Sequence, residues 1–425
     1  MMEPRCKFWL PKKRRFCANV PLADSPFCGN HTERSDARWI PCPLDPSHSV
    51  LAENLEGHLK RCPLLKFSQS LSQQPYFRKG INGGKYEGIL SNGGHSDITS
   101  EMKRTSVYSL TIDKFQDLIF KIKSIHETIV KQFEESYKIP DACDIWIKRQ
   151  IDRKLPFQEK HVMQQAAILG NMEEFGLLKR LDNLDLSTDD TEKGDENLVC
   201  NGNCYGIERV ILVERKSYKL KADRSLRQKE SLLLERLRID IEDLDLNAVE
   251  SLRGLNFLAI GKHLCGPATD MTIRCCLGEA NSTGTSPGCC MKGIAIATCC
   301  HHLCQWKHYI NKEYFISLGL VEEEFNAITW FTSWAVDDNH GPDLSLAQIS
   351  PIQINEEGQE QGVKGAIGNM ETIERAALGF MCKQIIDVGR LMWLRDSGLG
   401  ARIVRYVPRS ISPENSLLIA RRMIR

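Results

Sequence analysis

Residues 257–266 read Phe-Leu-Ala-Ile-Gly-Lys-His-Leu-Cys-Gly. Four apolar residues run straight into a turn bounded by Gly261 and Gly266, and a helical stretch beginning with Ala-Thr-Asp270 follows. A short, wholly apolar run of this kind suits a strand covered on both faces. The same pattern recurs on either side. Arg209-Val-Ile-Leu-Val-Glu214 is an apolar run ending in an acid, and Gly293-Ile-Ala-Ile-Ala-Thr-Cys299 is another buried-type run. Arg238–Glu242 and Ala327–Ala335 read as further strands. His161–Leu181, Leu226–Leu237 and Glu371–Leu394 read as helices between or after them. Arg402-Ile-Val-Arg-Tyr-Val407 and Ser416-Leu-Leu-Ile-Ala420 bracket a Pro-Arg-Ser-Ile-Ser-Pro turn and read as an antiparallel hairpin. Apolar strands alternating with helices predict an α/β fold with a mostly parallel sheet.

Open α/β sheets bind ligands outside the carboxyl ends of their strands, so strand-end polar residues are the site candidates. Glu214 could accept both ribose hydroxyls of a nucleotide-like cofactor, or could simply cap a helix or hold a salt bridge. Asp240, after the next short strand, could meet an adenine amino group. In the turn at 261–266, His263 could take a proton, and Lys262 could lower a hydroxyl pKa or bind phosphate. A lone strand-end His is also commonly a satisfied structural group. Cys299-Cys-His-His-Leu-Cys304 closes the next strand. Its donors are too crowded for all of them to reach one ion, and buried cysteines behave as small hydrophobes. Both a pocket wall and a metal site therefore remain open there. Thr332-Ser-Trp334 could line the same cleft, with Trp334 stacking a base or packing in the core.

A different chemistry opens the chain. Cys42, His48, His58 and Cys62 are spaced Cys-x5-His-x9-His-x3-Cys, and Cys6, Cys17, Cys28 and His31 lie directly upstream. Each quartet has the number and type of donors that one tetrahedral Zn²⁺ takes. Small zinc modules that present basic side chains commonly meet nucleic acid. Residues 1–67 carry 11 Lys/Arg against 7 Asp/Glu, and residues 215–229 carry seven Lys/Arg against Asp223. Such patches can contact a phosphate backbone although the whole chain has a net charge of only +1. A solvated helix face explains one basic run equally well.

Composition limits the rest. A hydrophobic content of 42% and a charged content of 26% are ordinary for a folded, water-soluble protein. No apolar run reaches the roughly 18–20 residues of a membrane span, and no secretory signal is expected. The odd count of 17 Cys, with vicinal pairs at 275–276, 289–290 and 299–300, predicts a reducing, intracellular setting, cytoplasmic or nuclear.

The chain divides into a CCCH-type finger at 1–34, a CHHC-type finger at 38–67, a Gly/Asn/Ser-rich linker at 68–110, a helical connector at 111–157 and a large domain at 158–425, with a polar surface insertion at about 342–370. In the connector, Phe115, Leu118, Ile119, Ile122, Ile125, Ile129 and Phe133 recur at helical spacing from about Thr111 to Tyr137.

These segments, together with Lys-Ile-Lys-Ser-Ile-His-Glu at 121–127 and His161-Val-Met-Gln-Gln-Ala-Ala-Ile-Leu-Gly-Asn171, resemble the eukaryotic tRNA 2′-O-methyltransferases that modify nucleotide four of the acceptor stem, most closely the plant members. The resemblance implies a Rossmann-like, S-adenosylmethionine-dependent methyltransferase domain behind two small zinc fingers and a long helix. It implies S-adenosylmethionine and two Zn²⁺ as cofactors and tRNA as partner, with no membrane and no DNA. Lys262, His263, Asp270 and His301 are the candidates for proton handling or substrate placement. Glu214 and Asp240 are the candidates for cofactor contact.

One departure stands out. The family's first methyltransferase strand ends in a Glu-Phe-Gly-Ala-Gly type loop under the cofactor. Here the corresponding stretch reads Glu196-Asn-Leu-Val-Cys-Asn-Gly-Asn-Cys-Tyr-Gly206. A parallel crossover needs about a dozen residues or more, and 199–209 leaves hardly any room for one. The first loop-helix unit is therefore expected to be missing and cofactor binding to be weak. The rival expectation is a structured-RNA-binding zinc-finger protein with a non-catalytic methyltransferase-like scaffold.

Overall fold

The computed structural model describes residues 5–10, 15–22, 25–29, 31, 39–46, 48–84, 97–152, 159–178, 206–215, 232–278, 289–335 and 362–423. They fall into two compact units, Met1–Gln74 and Pro75–Arg425.

The first unit has two short antiparallel hairpins. One joins β1 (Trp9–Leu10) to β2 (Arg15–Phe16), and the other joins β3 (Trp39–Pro41) to β4 (Ser49–Leu51). The helices Leu55–Leu59 and Pro63–Ser72 follow. Apolar burial is scant. The core under the first hairpin is Cys6, Cys17 and Cys28, with Leu10 and Phe27 packed against it, while Trp9 and Phe16 stay exposed. So small a core cannot outweigh the chain entropy of folding on its own.

The second unit is a mixed α/β fold. Its central sheet has five strands in the order β5 (Phe133–Glu135), β10 (Leu399–Arg405), β11 (Ser416–Arg422), β9 (Cys290–Ala297) and β8 (Asn256–Gly261). The β5/β10 and β9/β8 pairs are parallel, and β11 runs antiparallel to both of its neighbours. A second, two-stranded parallel sheet pairs β6 (Arg209–Glu214) with β7 (Leu233–Arg238), in register from Arg209↔Leu233 to Glu214↔Arg238. Among the described residues no strand joins this pair to β8, and Ile260 on β8 is exposed.

Two long helices cover the five-stranded sheet. Thr111 caps the helix Ile112–Ile129, its side chain accepting from the Lys114 amide at 3.3 Å. The predicted stripe Phe115, Leu118, Ile119, Ile122, Ile125 and Ile129 is buried. The helix Thr372–Asp396 opens with a Glu371/Glu374 capping box and is buried almost throughout. On the sheet, β9 is built of small and branched residues from Gly293 onward. A Cβ at Gly293 would collide with the Leu177 side chain and would come within 2.9 Å of the Ala420 carbonyl, so glycine there lets the chain after the helix Glu159–Glu174 lie directly on the sheet.

Several expectations need correcting. Ala327–Ala335 is not a strand: it is the end of the helix Glu322–Phe331 and the turn Thr332–Ala335. The segment is apolar all round because it is buried all round, and periodicity cannot separate that from a central strand. The helix expected over Leu226–Leu237 and the strand over Arg238–Glu242 give way to β7 and a single turn at Ile241–Asp243, and 216–231 lies outside the described residues. The connector helix stops at Ile129, and Phe133 instead begins β5 on the sheet edge. Parts of the stretch read as linker are built into the second unit. Gly80 N donates to Asp243 Oδ1 at 2.7 Å, Asn82 Nδ2 donates to the Ile241 and Leu244 carbonyls at 2.7 and 2.8 Å, and Ser100–Tyr108 is a helix. Of the expected insertion, 336–361 lies outside the described residues, while Gly362–Asn369 is a helix burying Val363, Ala366 and Ile367.

Candidate functional site

Both predicted ligand quartets come together. His31 Nδ1 lies 3.4 Å from the sulfurs of Cys6 and Cys28, and Cys17 Sγ lies 3.9 Å from Cys28 Sγ. In the second quartet Cys42 and Cys62 are 4.0 Å apart, His58 Nε2 is 3.2 Å from Cys42 Sγ, and His48 Nε2 is 3.0 Å from His58 Nε2. Donors held about 2.0–2.3 Å from one Zn²⁺ stand about 3.3–3.8 Å from one another, so both clusters fit zinc. All five cysteines are buried. Phe8 stacks on His31 at 3.9 Å and fixes the ring plane.

In the second unit the loops after β8 and β9 meet. Gly266 has φ 55°, and a Cβ there would stand 2.5 Å from Leu303 Cβ. Glycine therefore permits both the left-handed turn and the contact between the two loops. Cys265 Sγ lies 3.7 Å from Cys299 Sγ, and Cys300 takes the left-handed conformation at φ 51°, ψ 43°. At the rim Lys262 Nζ is 3.3 Å from His161 Nδ1. Burial lowers the Lys262 pKa from its ordinary value. Burial, Lys262 and His161 lower that of His263, whose side chain remains exposed. A neutral imidazole beside a cation can accept a proton.

Asp270 and His301 lie elsewhere, each 1% exposed. Arg390 reaches Asp270 with two hydrogen bonds, Nη2 to Oδ2 at 2.7 Å and Nε to Oδ1 at 3.1 Å, and donates to Asp387 Oδ1 at 3.0 Å. Asp387 also accepts from Thr298 Oγ1 at 2.7 Å and pairs with His301 Nε2 at 2.9 Å. Burial works to raise the Asp387 pKa, but His301, Arg390 and Thr298 outweigh it and hold the carboxyl below its usual range. His301 Nδ1 is buried with no hydrogen-bond partner among the described residues. Lys103 Nζ, also buried, donates to the carbonyls of His302 and Cys304 at 3.1 and 2.7 Å, and burial brings its pKa down to about 8.

Glu214 ends β6, where the sequence put it, and Asp240 follows the adjacent parallel strand β7, in place of the strand expected at 238–242. Each already has a partner. Glu214 is paired with Arg236. Asp240 accepts from the Glu242 amide at 3.2 Å and lies 3.7 Å from Arg215. Trp334 is in the core, 4.6 Å from the Phe331 ring and 5.2 Å from Trp330, so it does not stack a base. Most of the basic run at 215–229 and the whole stretch 196–205 lie outside the described residues.

Sequence reasoning missed Asp387, Arg390, Lys103 and His161. The signal for the first two was present: Lys383, Asp387 and Arg390 are the charged residues in the mostly apolar middle of the helix, 376–394, and buried charge persists only where it is paired. His161 opened a segment singled out as a whole, with no role attached to its ring.

Comparison with known proteins gives three matches in chain order. A model described as CCCH zinc finger in TRM13 protein matches residues 4–32, a U11-48K-like CHHC zinc finger matches 39–63, and Methyltransferase TRM13 matches 163–421. An Oryza sativa subsp. japonica protein named tRNA:m(4)X modification enzyme TRM13 is 48% identical over 242 residues, covering 51% of this chain and 91% of the rice protein. A Mus musculus protein named as a homolog of that enzyme is 31% identical over 483 residues, covering 99% of this chain and 94% of its own length. A Saccharomyces cerevisiae protein of the same name is 26% identical over 485 residues, covering 98% and 95%. No solved structure is a significant match. No helix among the described residues is long and apolar enough to cross a membrane.

Proposed function

The chain belongs to the TRM13 methyltransferase family, and from that membership we infer that it is a tRNA 2′-O-methyltransferase acting on a ribose of the acceptor stem. The reading takes S-adenosylmethionine as methyl donor, one Zn²⁺ in each N-terminal quartet, and a Rossmann-like methyltransferase sheet. The two sheets support that architecture. The orders β7-β6 and β8-β9-β11-β10-β5 are compatible with the two halves of one doubly wound sheet, and residues 179–205, which precede β6, lie outside the described residues.

S-adenosylmethionine fits one end of this site better than the other. Glu214 and Asp240 on neighbouring strand ends suit the ribose and adenine of the nucleoside half. The methionine half has no glycine-rich turn in the sequence to pass beneath it. The alignment with the mouse relative runs to 483 positions, more than the 425 residues of this chain, so the relative has residues with no counterpart here. Weak cofactor affinity follows.

The cofactor supplies an electrophilic methyl; the chain must orient the ribose and take the 2′-hydroxyl proton. Lys262 and His263 carry that part, with His263 as the proton acceptor and Lys262, beside His161, as the cation that favours the developing alkoxide. Asp270 and His301 touch no substrate in this reading. They position the two loops through Arg390 and Asp387. The fingers hold the stem through phosphate and 2′-hydroxyl contacts, since A-form RNA hides its base edges in a deep groove.

The observation that carries these roles is the meeting of the loops after β8 and β9, which leaves Lys262 and His263 at the rim and the acid-base pairs beneath. A non-catalytic scaffold is not favoured, because the methyltransferase match spans 163–421 and the relatives are named modification enzymes. The test is methyl transfer to tRNA. A methylated 2′-oxygen protects the adjacent phosphodiester from alkali, so the product is an alkali-resistant dinucleotide; a methylated base would overturn the reading.

A further inference from the structure

Three thiols from the loops after β8 and β9 converge in the second unit. The sulfurs of Cys265, Cys299 and Cys300 all lie within 4.8 Å of one another. The crowded run at 299–304 divides. His301 turns to Asp387, and Cys304 Sγ lies 3.2 Å from an Arg390 nitrogen, whereas Cys299 and Cys300 turn to Cys265 on the neighbouring loop. Two consecutive residues reach one point because Cys300 adopts a left-handed backbone, which is uncommon for a residue with a Cβ and costs about 1 kcal/mol or more. We propose that Cys265, Cys299 and Cys300 form a three-thiolate site for a thiophilic d10 cation, Zn²⁺ being the type, separate from the two N-terminal quartets.

The spacing matches that chemistry. The Cys265–Cys299 separation of 3.7 Å is the edge of a tetrahedron with sulfur about 2.3 Å from zinc. Without an ion Cys299 and Cys300 stay protonated, because burial, Cys265 and the Glu414 carboxylate disfavour their thiolates; Cys300 is pushed up to about 11. The same negative surroundings favour a cation. On binding, three S–Zn bonds form and three thiol protons leave to water. Among the described residues no fourth His, Cys, Asp or Glu joins the group, so the fourth position takes water. Cys265 and Cys300 are half-buried and leave the ion an entry path.

The test is zinc stoichiometry of the whole reduced chain against a chromophoric competitor, which does not depend on methyl transfer. Cys265→Ser and Cys300→Gly are each expected to lose one equivalent relative to wild type. Cys42→Ser should lose a different equivalent, so that the double variant with Cys265→Ser loses both. Cys300→Gly guards against misfolding, because glycine accepts the left-handed backbone; with zinc removed from both proteins, its second unit should unfold no earlier than that of wild type. Unchanged stoichiometry in both variants, or a Cys265–Cys299 disulfide in the freshly reduced, zinc-supplied protein, would overturn the proposal.

Discussion

His301 Nε2 lies 2.9 Å from Asp387 Oδ1, and both side chains are 1% exposed. The pair ties the loop after β9 to the helix Thr372–Asp396, and Arg390 extends it to Asp270. Removing one member of a buried charge network leaves its partners uncompensated.

Asp387→Asn is therefore expected to destabilise the second unit by about 3 kcal/mol, measured by urea unfolding followed through its tryptophans. The Asp387 pKa is depressed in the fold, so its contribution is present above the ordinary carboxyl value of 3.8 and is lost as pH falls through the lower folded value. The gap between wild type and variant should close only in strong acid. Equal stability at neutral pH would show that the network is not a support.

Lys103 behaves in the opposite sense. Its folded pKa of about 8 lies below the ordinary 10.5, so between those values the unfolded chain binds more protons and folding gains as pH rises. Against Lys103→Met, wild type is expected to gain about 2 kcal/mol from pH 8 to 10. A difference that does not change over that range would contradict the burial of this ammonium.

Lys262→Ala and His263→Ala are each expected to lower kcat by about a hundredfold or more, with tRNA affinity little changed. Burial and the neighbouring Lys262 hold the His263 pKa below its ordinary 6.5. The acid limb of the rate profile should therefore lie below that value and vanish in His263→Ala. Full rates in both variants would remove this turn from the chemistry.

Chelation should unfold the first unit. Its buried residues near the first hairpin are the ligand cysteines themselves, and structural zinc contributes about 10–16 kcal/mol to such modules. EDTA at neutral pH is expected to unfold residues 1–74 and weaken tRNA binding while the second unit, which has a large apolar core of its own, stays folded. Retained finger structure without zinc would contradict the reading.

The sequence showed most plainly what depends on local pattern. The eight finger ligands were legible because metal geometry demands particular residue types, and β6, β8 and β9 because their runs are short and apolar. Ala327–Ala335 was misread because burial on every side erases the helical period. β5 was missed because Phe133 continues the stripe of the preceding helix even though the backbone has already become extended. Lys262 and His263 became candidates through their strand-end position. Asp387, Arg390 and Lys103 were not, because each gains its meaning from a partner far away in the chain. Cys265 joins Cys299 only in three dimensions, and the vicinal pair alone gave no hint of a third thiol.

The most direct test of the central reading is transfer of labelled methyl from S-adenosylmethionine to bulk tRNA by the purified 425-residue chain, with the methylated position mapped and the cofactor dependence measured. The expected result is one alkali-resistant dinucleotide from the acceptor stem, formed with a half-saturating cofactor concentration well above the micromolar range. Label on a base, label on a ribose outside the acceptor stem, or no label at saturating cofactor would contradict it.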